Sequence, residues 1–208
     1  MDQDFIDALF QDEPEANLQL ADPSLLQYYE DFKNRVIWID NEIDKITLDV
    51  VSKIIRWNRE DKEKPIKERK PIRIFFNSPG GSLDVEETIV SIIKLSKTPI
   101  YGIALGMVAS AASLIFLSCH KRYALHNAYL ILHKGSCQNI SGDYTNVQNA
   151  MEDYRKQIEK LEKFYIDNTN IPEEVIKEKL NSDWYIRGKD LIDYGLVQEW
   201  VEDIGILI

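Results

Sequence analysis

The chain has 208 residues, 44% hydrophobic and 29% charged, a balance that suits one globular domain and excludes a disordered or fibrous chain. Acidic side chains outnumber basic ones 35 to 25, and the net charge of -10 repels phosphate backbones, which makes nucleic acid a poor partner. No apolar run reaches the roughly 20 residues that cross a bilayer. The opening residues Met1 to Ala16 are acidic where a secretory signal would be basic, so a cytoplasmic location away from membranes is expected.

Residues 1–33 read as an acidic N-terminal arm. Phe5, Ile6, Leu9 and Phe10 recur at helical spacing before Pro14 and Pro23 interrupt, which suits a frayed terminus or a docking segment. Residues 34–208 read as a single α/β domain. Val36 to Ile39 forms a buried strand, and Ile46, Val50, Val51, Ile54 and Ile55 fall on one helical face. Asn58 to Lys70 is almost wholly charged and reads as an exposed connection. Pro71 to Phe76 is the next strand, closed by Asn77-Ser-Pro-Gly-Gly81, with a helix after it carrying Val85, Ile89, Ile92, Ile93 and Leu95. Ile100 to Leu105 predicts a third strand, with a turn at Gly106 and an apolar helix from Ser110 to Ser118. Strands follow at Arg122 to Leu125 and Ala128 to His133. This alternation implies parallel pairing through crossover helices.

After Gly142 the residues Tyr144, Val147, Met151, Tyr154, Ile158, Leu161 and Phe164 step by three or four, the signature of a long helix whose apolar stripe needs a partner. A short helix near Pro172 to Leu180, a strand at Trp184 to Ile186, and Leu196 to Trp200 close the chain. Cys119 and Cys137 form neither a metal-ligand pattern nor a disulfide framework, so two free thiols, no metal and no cofactor are expected.

Four segments can carry chemistry. Ser110 ends Gly106-Met-Val-Ala-Ser110 at a strand-to-helix corner, where free backbone N–H groups can hold an oxyanion. A serine there also serves as a simple helix cap, and Ser113, one turn inside the helix, is a weaker nucleophile candidate. Gly80 and Gly81 permit close backbone approach. His133 ends its strand and can supply the base that a serine hydroxyl needs, with His120 and His126 as competitors placed in polar turns. Asp183 precedes an aromatic strand and can orient such a base, as can Asp190 or Asp193; residue type alone does not choose among them.

In order along the chain, Asn77 to Gly81, Gly106 to Ser110, Asn127 to His133 and Asp183 to Val197 resemble successive motifs of the Clp protease proteolytic subunit (ClpP) family, its divergent and phage-type members included. The similarity runs from about Asn34 to Val201. It implies a crotonase-like α/β fold of repeated β-β-α and βα units with a protruding handle helix. It further implies Ser110 as nucleophile, His133 as general base, Asp183 as its orienter, and the Gly81 and Ala111 backbone N–H groups as oxyanion donors. Assembly would be two stacked seven-membered rings that enclose a chamber for peptide or unfolded polypeptide substrates, fed by a Clp-type ATPase. Three features depart from the family: Ala111 stands where methionine is usual, Lys134 to Gly142 lacks the expected proline and paired glycines, and the basic axial loop is missing from the N-terminus. The family also implies alternatives, namely a stand-alone or capsid-maturation protease or a catalytically silent ring subunit. The same fold also serves enzymes that act on acyl thioesters of coenzyme A.

Overall fold

The computed structural model describes residues 23–135 and 140–208, so the Phe5 to Phe10 pattern and Cys137 lie outside the described residues. Helix α1 (Pro23–Asn34) leads into strand β1 (Val36–Ile39) and rests Phe32 on Trp57, ring centroids 5.2 Å apart. Helix α2 (Asp49–Glu60) follows a 3-10 turn whose capping Asp44 accepts from the Ile46 and Thr47 amides. Strand β2 (Ile72–Ser78), helix α3 (Leu83–Leu95), strand β3 (Ile100–Ala109) and helix α4 (Ala111–Ser118) come next.

Strands β1, β2 and β3 are parallel, and β3 is parallel to β4 (Lys121–Ala124), which in turn pairs with β7 (Glu199–Trp200). Both faces of this sheet are covered, which explains why β2 reads as a continuous apolar run rather than an alternation. On one face Ile74, Phe76, Ile89, Ile93 and Phe116 join the main core, and on the other Val36, Phe75, Ile103 and Tyr123 form a smaller cluster.

Strand β3 is ten residues long because it serves two neighbourhoods. Its first half pairs with β2 and β4, while Met107 to Ala109 exchange β4 for β5 (Tyr129–Leu132), pairing Ala109 with Ile131, and Val108 stays paired with Ser78 of β2. β5 is paired on its other edge, antiparallel, with β6 (Trp184–Arg187). Helix α5 (Tyr144–Asn168) is the long helix expected after Gly142; its 25 residues span about 37 Å. Helices α6 (Glu173–Lys179) and α7 (Lys189–Asp193) complete the described elements. Among the described residues, no helix is long and apolar enough to cross a membrane.

Three local expectations are corrected. Gly106 is not a turn: β3 runs through it, and the absent side chain makes room for Asn77, whose Oδ1 accepts from the Met107 amide at 3.1 Å. The buried stripe of α2 is Val50, Ile54 and Trp57; Ile46 lies in the 3-10 turn before the helix, Ile55 lies about 140° around the helix from Val50, and both are exposed. Asn58 to Lys70 is not merely an exposed connection either. Asp61 within it is fully buried, paired with Arg35 and hydrogen-bonded by the Thr98 hydroxyl at 3.1 Å. Arg35 also donates to the Lys70 carbonyl at 2.9 Å, so a charged-looking loop is tied down from inside.

Candidate active site

The site is built where β3 delivers the chain to α4. Ser110 has φ 51 and ψ -127, and apart from Arg35 it is the one non-glycine residue at positive φ among those described. Such a conformation costs of the order of 1–3 kcal/mol and persists only where its surroundings enforce it. Here the Ser110 amide donates to the Ile131 carbonyl at 2.9 Å, which extends the β3–β5 ladder by one residue, while its carbonyl accepts from the Ser113 amide at 2.9 Å and so begins the helix. The chain must turn between these two anchors within a single residue. Ser110 occupies the cap position, yet its side chain makes no cap hydrogen bond, so the hydroxyl is not spent on the helix.

The ladder that anchors Ser110 also sets the other two residues. His133 follows the last residue of β5, and Asp183 precedes the first residue of β6. The antiparallel register pairs Leu132 with Trp184, so His133 and Asp183 stand opposite each other one step further along. His133 Nδ1 lies 3.4 Å from Asp183 Oδ1. The His133 Nε2 atom is buried and, among the described residues, has no hydrogen-bond partner. A buried ring nitrogen left open in this way costs free energy unless a ligand or side chain engages it.

Gly80 and Gly81 close the site from the side of β2. Both have positive φ, 93 and 149. A Cβ on Gly80 would sit 2.6 Å from the Ala109 carbonyl oxygen, 2.7 Å from Ser110 Cβ and 3.0 Å from the Ala111 nitrogen, so this turn is pressed directly on the Ser110 corner. Ile43 binds the turn in parallel fashion: its amide donates to the Gly80 carbonyl at 2.7 Å and its carbonyl accepts from Ser82 at 2.8 Å. Because successive amides of an extended segment alternate sides, the Gly81 N–H is directed away from Ile43. Ala111 is the first residue of α4, so its N–H is among those that a helix cannot satisfy internally.

The competing candidates have other partners. His120 Nδ1 accepts from the Ile100 amide, and His126 is exposed, stacked on Trp200 and bonded to Glu202. Asp190 and Asp193 are exposed on α7, the latter paired with Lys189 at 3.1 Å. Cys119 caps the far end of α4, where burial pushes its thiol up to about 12.

Tyr165 and Glu86 were not found from sequence, and Ser113, weighed there as a weaker nucleophile, has its hydroxyl committed elsewhere. Ser113 is fully buried and its hydroxyl donates to the Ser110 carbonyl at 2.6 Å; the spacing of three residues from Ser110 was the available signal. Tyr165, off the stripe of α5, is fully buried with its hydroxyl 3.1 Å from Ser113 Oγ. Glu86 is buried on α3, in a cavity of about 180 Å³ shared with Leu161 and Phe164 of α5. Burial pushes its carboxyl up to about 8, the nearby Glu87 charge adding to the effect and Lys160 and Lys94 opposing it.

Comparison with known proteins settles the family. The model of the Clp protease family matches residues 22–203. The chain belongs to the Clp protease family. It is 31% identical over 132 residues to the ATP-dependent Clp protease proteolytic subunit 2 of Treponema denticola, a match covering 62% of this chain and 66% of that protein. The corresponding protein of Treponema pallidum is 29% identical over 135 residues, covering 64% and 67%. The matched stretch thus spans about two thirds of these relatives. Among solved structures, a point mutant of ClpP1 from Listeria monocytogenes superposes with a TM-score of 0.73 at 24% identity, covering 88% of this chain and 99% of that one. The fold is that of ClpP, as the motif order implied.

Proposed function

We propose that the chain is a serine endopeptidase of the Clp type that cleaves peptides or unfolded polypeptides through an acyl-enzyme. The observation that carries this reading is the Ser110 corner, strained to positive φ with an uncommitted hydroxyl at a helix N-terminus. Ser110 Oγ attacks the scissile carbonyl, and His133 Nε2, the open buried nitrogen, takes its proton and passes it to the departing amine. Asp183, at 3.4 Å from Nδ1, holds the ring tautomer and supports the imidazolium. The Gly81 and Ala111 N–H groups receive the negative charge that develops on the carbonyl oxygen. Water then attacks the acyl carbon as His133 takes its proton, and His133 returns that proton to Ser110 Oγ as the acyl–oxygen bond breaks and the carboxylic acid product departs.

The assembly is part of the same reading. On α5, Tyr144 is 81% exposed and Met151 is 53% exposed, on a helix whose described residues bury only Tyr165. A helix with so little of its apolar stripe covered suits a handle that packs against a second copy, and with it a closed homo-oligomeric chamber of stacked rings. The Treponema relatives are named as subunits of an ATP-dependent protease, which supports a Clp-type ATPase as the partner that delivers substrate.

The test is hydrolysis of fluorogenic peptides by the assembled protein, compared with Ser110→Ala and His133→Ala. Both variants should lose turnover. Hydrolysis that survives in Ser110→Ala would overturn the assignment.

A further inference from the structure

We propose that Tyr165 and Ser113 are positioning residues that aim the Ala111 N–H at the reacting carbonyl oxygen, so that the handle helix helps set the oxyanion site. The inference rests on reading Ser110 as the nucleophile.

Counting protons fixes the direction of the chain of hydroxyls. A carbonyl only accepts, so the single proton of Ser113 Oγ goes to the Ser110 oxygen at 2.6 Å. Ser113 Oγ then has only acceptor capacity left, and Tyr165 must donate to it across 3.1 Å. Burial raises the Tyr165 phenol above its ordinary range, which keeps that donor protonated. The Ser110 carbonyl therefore receives two hydrogen bonds from Ser113, one from its amide and one from its hydroxyl.

The Ser110 carbonyl and the Ala111 N–H belong to one peptide unit. In a planar trans peptide these two groups point in opposite directions. Pulling the carbonyl inward, toward Ser113 and Tyr165, turns the Ala111 N–H outward, toward the side where the Gly80–Gly81 turn presses on the corner. The ψ of -127 at Ser110 is the torsion that sets this plane, and it lies in a region that no helix or strand would hold. Two fully buried hydroxyls contributed by α4 and α5 supply the hold instead.

Tyr165→Phe keeps the ring and removes only the hydroxyl, and Ser113→Ala removes the middle of the chain. Each should lower kcat for peptide hydrolysis by about tenfold, part of the roughly 10²–10³ that losing a whole oxyanion donor costs, with KM unchanged. Affinity for a peptide boronate, which carries the tetrahedral anion, should fall in parallel, while peptide binding on a Ser110→Ala background stays the same. Because Tyr165 acts through Ser113, the double variant should be no worse than Ser113→Ala alone. Unaltered kcat in both variants, a rise in KM at constant kcat, or losses that multiply in the double variant would overturn the proposal. If wild type reacts with a fluorophosphonate and the variants react as fast, only the positioning role fails. A wild type that does not react removes the nucleophile reading and this inference with it.

Discussion

His133 and Asp183 face each other across the β5–β6 ladder, one step beyond the Leu132–Trp184 pair, with 3.4 Å between Nδ1 and Oδ1. The separation exceeds that of a good N–H···O hydrogen bond, and the Asp183 side chain is 60% exposed, so its attraction is screened. In the proposed mechanism the carboxylate provides an acceptor at a fixed place. Asp183→Asn would replace it with an amide able to donate to Nδ1 and favour the wrong tautomer. Acylation should slow by about 10²-fold or more, with peptide binding little changed. Asp190→Asn and Asp193→Asn should leave the rate intact, and a comparable loss in either would identify another carboxylate as the orienter.

Glu86 ties stability to pH. Its folded carboxyl is pushed up to about 8 by burial, from 4.5 in the open chain. Below about pH 4.5 both states hold the proton and there is no penalty. As pH rises toward 8, the unfolded chain releases the proton while the folded protein resists, and stability is lost over that window. Glu86→Gln removes the penalty. The variant should be more stable than wild type by the order of a few kcal/mol at pH 8, the gain shrinking as pH falls to 5. Denaturant unfolding at both pH values measures it, and an equal difference at each would contradict the titration of Glu86.

Much of the fold, and the order of the motifs that frame the candidate site, was legible because short-range patterns encode them. Strands β1, β2 and β5 are apolar runs, α5 announces itself by its stripe, and the motifs around Gly81, Ser110, His133 and Asp183 follow one another in family order. The pairing of Asp183 with His133, by contrast, depends on strand register between positions fifty residues apart in the chain. Asp61 was misread for a related reason. Its neighbours are charged and exposed, and only the arrival of Arg35 and Thr98 from distant segments makes its burial tolerable. Tyr165 lies one residue past the end of the α5 stripe and gains its meaning from Ser113, which is remote in sequence. In each case the deciding partner comes from another element, and no local window contains it.

Asp61 carries the opposite pH signature to Glu86. The Arg35 guanidinium beside it holds its carboxyl well below the usual carboxylate range, with Lys64 and Thr98 helping and burial opposing. Its contribution is therefore complete above about pH 4 and is lost as pH falls further. Asp61→Ala would leave Arg35 buried without its counter-charge and should destabilise the fold by about 3–5 kcal/mol at pH 7. The gap between wild type and variant in thermal unfolding should narrow steadily as pH falls below about 4, without closing by pH 3. A loss below about 1 kcal/mol at neutral pH would mean that Arg35 finds other partners at little cost.

The exposed half of α5 predicts association. Met151→Asp places a charge where the handle would meet its partner and should shift sedimentation from a large assembly to small species while circular dichroism stays native. A wild type that sediments as monomer at high concentration would count against the chamber.

The most direct test of the central claim is intact mass after treatment of the assembled protein with a fluorophosphonate, on wild type and on Ser110→Ala. The account predicts one adduct per wild-type chain and none on Ser110→Ala. No adduct on the assembled wild type, or an equal adduct on Ser110→Ala, would contradict it.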